Sequence, residues 1–112
     1  MGVTAKCSVS VPFVSTDVAM HVIRDILNRC PDAKDYIRKD GSPTFSEGAW
    51  HHSETELRAF TATHTGLTIQ LDKVGHYDGP FHDRYYFSGG KMQHCPGKII
   101  VHFDDFDTSK LS

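Results

Sequence analysis

With 112 residues, 38% hydrophobic side chains and 7 Phe, 4 Tyr and 1 Trp, the chain holds the apolar mass of one domain and too little for two, since a chain of this size buries roughly two-thirds of its unfolded surface. That composition also excludes intrinsic disorder over most of its length. Twelve Lys plus Arg against fourteen Asp plus Glu leave a formal charge of -2, which disfavours a nucleic-acid binder working by counterion release.

Cys7, Val9, Val11 and Phe13 alternate with Ser8, Ser10 and Pro12, the period of a strand buried on one face. Pro12 has no N–H to donate and marks an edge or an end. Ser15, Thr16 and Asp17 offer helix caps, and Val18, Ala19, Val22, Ile23, Ile26, Leu27 and Cys30 recur at spacings of three and four. The pattern predicts an amphipathic helix over 16–29 that stops before Pro31. One or two further turns are expected within 32–38, with Ala33, Tyr36 and Ile37 on a common side. The stretch 39–53, with Gly41, Pro43 and Gly48, has no period and reads as a long irregular segment.

The Thr-rich stretch 55–63 and the alternating Leu67, Ile69 and Leu71 are expected to form a hairpin turning at Thr65-Gly66. Residues 75–83 read as a loop, 84–88 as a short aromatic strand, Gly89-Gly90 as a turn and 98–103 as a last strand, with an acidic and polar tail from residue 104 that is expected to fray. This order implies an α+β fold: an antiparallel sheet of about five strands with one main helix, 16–29, packed on one face. A single helix cannot cover both faces, so the second face is left to solvent or to a partner.

Cys7, Cys30 and Cys95 form neither a C-x-x-C pair nor an even set, and a reducing, cytoplasmic compartment is expected. Cys7 and Cys30 fall in phase with apolar positions and read as small core residues. The first residues lack the continuous apolar run of a signal peptide, and no stretch approaches membrane-spanning length.

Two aromatic groups carry the leading functional reading. Phe45 and Trp50 lie on the irregular segment beside His51 and His52, and Tyr77, Phe81, Tyr85 and Tyr86 cluster later. Large aromatics carry much of the binding energy at protein interfaces, so these residues point to a small non-enzymatic binding protein, an inhibitor or accessory factor. The competing reading of Trp50 and Phe45 is that they plug the core beneath the loop.

A second class of function rests on His76, Asp78 and His82 in one Gly/Pro-containing stretch, followed by His94 and His102. Imidazole and carboxylate groups suit zinc or another divalent metal, or acid/base chemistry, if they converge. A third class is a nucleotide or small-anion binder using Lys91, Lys98, Arg84 and the tyrosines, with the anion held between two copies of the chain in a homo-oligomer. No Gly-rich phosphate loop is present.

Overall fold

A computed structural model describes residues 4–44, 50–76, 80–97 and 104–112. Among them are four strands, β1 (Thr4–Ser10), β2 (Thr68–His76), β3 (Pro80–Ser88) and β4 (Lys91–Gly97), and two α-helices, α1 (Thr16–Arg29) and α2 (Ser53–Thr63). Short 3-10 turns cover Ala33–Asp35 and Thr108–Lys110. The strands form one antiparallel sheet in the order β1-β2-β3-β4. α1 lies on β1 and α2 on β3 and β4. The architecture is α+β with helices on one face of the sheet, as the sequence predicts. The described residues form four strands rather than five, and a second helix shares that face.

α1 occupies the expected 16–29. Ser15 Oγ accepts from Val18 N–H at 3.3 Å, satisfying one of the donors a helix start leaves open. Val22, Ile23 and Ile26 are buried, and Cys30 turns extended ahead of Pro31, whose ring disfavours helical backbone in the preceding residue.

The expected strand over 55–63 is instead α2. Its buried residues Ser53, Leu57, Phe60 and Thr61 recur as one helical stripe, and Thr61 directs its hydroxyl to Leu57 O at 3.0 Å. Packing of that stripe overrides the β preference of threonine. Glu54 and Arg58, paired at 3.2 Å one turn apart, are the helical signal that the threonines mask. Thr65-Gly66 therefore leads from helix to strand, with Gly66 at φ 89°.

The expected loop over 75–83 is largely strand. Gly75, Phe81, His82 and Asp83 are ladder residues, and Pro80 opens β3, a position where the missing N–H is tolerated. Gly89 and Gly90 both have positive φ, as a two-residue hairpin turn between β3 and β4 requires. β4 itself carries no clean alternation, because Gln93 and Cys95 are buried on one face while Met92 packs on the other. The expected strand 98–103 lies outside the described residues.

Alternation along the strands gives the sheet two distinct faces. Cys7, Val9, Ile69, Leu71 and Phe87 face the helices and join Ile26, Ile37, Leu57 and Trp50 in the core. Trp50 is 0% exposed and lies parallel to the Tyr36 ring at 6.4 Å. Beside it, Glu56 lies half-buried. Burial and the nearby Asp32 push its carboxyl above the ordinary carboxylate range, while the Trp50 indole, the Cys30 thiol and His52 pull the other way. Burial and Glu56 together push the Cys30 thiol up to about 12. Neither Trp50 Nε1 nor Glu56 Oε2 completes a hydrogen bond among the described residues. The pull of the indole on the carboxyl is thus that of a dipole close by rather than of a formed bond.

Gly41 fixes the outer edge of β1. Its carbonyl accepts from Val9 N–H at 2.8 Å, covering part of an edge that would otherwise offer itself to another strand. Its φ is +85°, and a Cβ there would run into the Val9 carbonyl oxygen. Gly41→Ala is expected to cost roughly 3 kcal/mol of stability in a denaturant titration, from positive φ and backbone collision together.

Because the fold raises the Glu56 pKa, it favours the protonated carboxyl. Wild-type stability from this group is present below the ordinary carboxylate pKa and is lost as pH rises through the raised value. Glu56→Gln fixes the neutral form. Thermal melts are expected to place the variant above wild type at neutral pH, with the difference vanishing in acid.

Candidate interaction surface

The far face of the sheet presents Lys6, Ser8 and Ser10 from β1, Gln70, Asp72 and Val74 from β2, and His82, Arg84 and Tyr86 from β3. At its centre Arg84 holds Asp72 with both prongs, Nε to Oδ1 at 2.9 Å and Nη2 to Oδ2 at 3.0 Å. His82 Nε2 lies 3.3 Å from the same carboxylate. Arg84 and Asp72 are cross-strand partners, so the ladder register itself brings charge to charge. That carboxylate is the main reason the guanidinium's pKa is raised, against the opposing effect of burial.

Residues 104–112 fold back onto this face instead of fraying. Asp107 N–H donates to Gln93 Oε1 at 3.2 Å. Met92 and Ser112 exchange main-chain hydrogen bonds at 3.1 and 3.2 Å, adding to the β4 edge. Phe106 lies against Tyr86, centroids 5.3 Å apart, and 5.9 Å from Phe13. Tyr86 is only 6% exposed. Asp107 takes Ser109 N–H and Oγ onto one carboxylate oxygen, which holds its carboxyl below the usual range.

At the margin stands Phe13. It is 76% exposed and is the one non-glycine residue with positive φ, at 70°, among the described residues. Left-handed backbone costs an ordinary residue about 1–2 kcal/mol. Val14 and Val18 are also exposed beside it, giving an apolar patch at the start of α1.

The partner-binding residues named from sequence do not share one surface. Trp50 is core, which corrects its expected place at an interface: its indole fills the space between sheet and helices. Tyr86 is likewise covered, by Phe106. His51 and His52 are exposed at the start of α2, whereas Phe81 and Tyr85 are half-buried on the helix face. Phe45 and Tyr77 lie outside the described residues.

The metal-ligand set is divided by the sheet. His82 is on the far face beside Asp72. His94, the cross-strand partner of Tyr85, is on the helix face, stacked on that ring at 4.5 Å and 6° with Nε2 3.7 Å from Asp83 Oδ1. Strand alternation thus prevents one ion from taking both imidazoles, which answers the convergence question left open by the sequence for this pair. His76 closes β2 opposite Pro80, and Asp78 and His102 lie outside the described residues. Among the described residues no group of three or more His, Cys, Asp or Glu is placed to hold a metal. Of the expected anion contacts, Arg84 is already engaged by Asp72, Lys91 is exposed at the start of β4, and Lys98 is outside the described residues. No helix among the described residues is long and apolar enough to cross a membrane.

Phe13 and Phe106 are the surface residues that the sequence reading misses. Phe13 continues the alternation of Val9 and Val11 and so reads as inward-facing, and Phe106 sits among acids that suggest a solvated tail. The one available signal is Pro12, which ends the strand and frees Phe13 from its period.

No known protein family, curated protein or solved structure matches this chain.

Truncating Phe106 removes the cover from Tyr86. Phe106→Ala is expected to lower stability by about 1–2 kcal/mol, read from the midpoint of urea unfolding, with greater acrylamide quenching of tyrosine emission in a Trp50→Phe background.

Proposed function

We propose that the chain is a small non-enzymatic binding protein, of the inhibitor or accessory kind, that seats a protein partner against the far face of its sheet with Phe13 as the anchor. The observation that carries this reading is Phe13 itself, a large apolar ring held in solvent by a backbone conformation that costs energy. Strain of this kind persists where the surroundings enforce it and concentrates at functional positions. Val14 and Val18 extend the apolar area, and the Phe106 ring lies 5.9 Å from that of Phe13.

The rim gives the partner a chemical description. Asp17 lies in the first turn of α1, four residues after Phe13, and Asp105 precedes Phe106. An apolar centre flanked by carboxylates suits a partner whose docking segment carries an aliphatic or aromatic side chain among lysines or arginines, with charge governing the rate of encounter more than final affinity. The Arg84–Asp72 pair, internally neutralised, adds rigidity to the seat rather than net charge.

Asparagine tolerates left-handed backbone. Phe13→Asn is therefore expected to change stability by no more than about 0.5 kcal/mol, while weakening the partner's Kd by about thirtyfold, the loss of a hot-spot residue. A photo-crosslinking residue at position 13, introduced in the source cell, identifies the partner, and titration of the purified pair measures the loss. Unchanged affinity in Phe13→Asn, or crosslinking from position 13 no greater than from exposed Asn28, contradicts the reading.

A further inference from the structure

On the helix side of the sheet, where α2 begins, a cleft of about 130 Å³ opens between His51, Ser53 and Glu54 on one side and Lys73 and Tyr85 on the other, floored by Leu71 and Phe87. Lys73 continues the inward row of Ile69 and Leu71 on β2, where a third apolar residue would extend the core. A half-buried lysine lays its methylene stem along apolar surface and keeps its ammonium toward water or a counter-charge. Register places Asp83 directly across from it, yet the Asp83 carboxylate lies by His94 at 3.7 Å and that of Glu54 is taken by Arg58 at 3.2 Å. The Lys73 ammonium instead lies 5.5 Å over the Tyr85 ring. Among the described residues it has no ion pair, and the exposed His51 at the mouth has no hydrogen-bond partner.

The cleft therefore combines an apolar and aromatic floor with an ammonium that forms no ion pair among the described residues, although the Glu54 and Asp83 carboxylates are close enough to act on Tyr85. We propose that it is a binding site for a compact oxyanion, a carboxylate or phosphoryl head group, held by Lys73 with His51 at the entrance and the attached body of the ligand against Tyr85 and Leu71. Its size decides the class of ligand. Pockets for whole drug-sized molecules span roughly 300–1,000 Å³, so this one takes a head group or a single modified side chain and not a nucleotide. It faces away from the Phe13 surface, on the other side of the sheet, and does not depend on the reading given to that surface.

The test is a 15N NMR titration of the full chain with sodium phosphate, phenyl phosphate, acetate and benzoate, each against sodium chloride at equal ionic strength. Saturable shifts are expected at the amides of 51–54, 73 and 85, with the aryl compounds binding more tightly than the bare ions because the ring adds contact with Tyr85. The phosphate and carboxylate arms identify the preferred head group. Lys73→Gln is expected to weaken binding about tenfold, the loss of one charge-assisted contact, while Lys73→Arg retains it and Lys91→Gln on β4 has no effect. Shifts that fail to saturate, that sodium chloride reproduces, or that persist undiminished in a folded Lys73→Gln protein overturn the proposal.

Discussion

The single tryptophan is where the two helices, the irregular segment and the sheet meet, and its burial decides how the rest is arranged. Removing an indole from water is worth about 4–6 kcal/mol by area. Leaving its N–H without a bond costs about 1–3 kcal/mol in return, so burial prevails. Once Trp50 is inside, the chain entering α2 is pinned against Tyr36 and against Cys7 at the middle of β1. α2 then has to lie on β3 and β4, and its N-terminal residues frame the cleft at Lys73.

With both helices on one side, residues 104–112 are what covers the other face of the sheet among the described residues. They cover its β3–β4 half, where Tyr86, Gln93 and Cys95 are shielded. The β1–β2 half keeps Ser8, Ser10 and Gln70 facing outward, bounded by Phe13 at one end and the Arg84–Asp72 pair at the centre. The two faces thus differ in chemistry. One offers an apolar anchor beside carboxylates, the other a recessed ammonium beside aromatic rings, and the binding readings proposed for them follow from that difference.

The sequence was legible where one force acted alone. α1 has a cap, an unbroken apolar stripe and a proline stop, and each points to the same element. α2 was obscured because threonine favours strands while Leu57, Phe60 and Thr61 need a helix to bury together, and only contact with the sheet resolves the conflict. The stretch 75–83 reads as a loop because Gly and Pro at strand ends look like Gly and Pro in loops. At the sites, residue type was visible but face was not. His82 and His94 look like neighbours in a list of ligands, and a β4 strand without clear alternation gives no means of knowing that a sheet separates them. Lys73 is equally hidden, since a lysine after Leu71 reads as the polar end of a strand until register places it in the inward row across from Asp83 with no ion pair among the described residues.

Because the chain has one tryptophan, its fluorescence tests the central arrangement without substitution or label. A fully buried indole predicts blue-shifted emission from the native protein, with little quenching by acrylamide or iodide until the chain unfolds. Emission at the wavelength of a solvated indole, quenched freely in the native state, would place Trp50 on the surface and contradict the packing from which both faces of the sheet take their character.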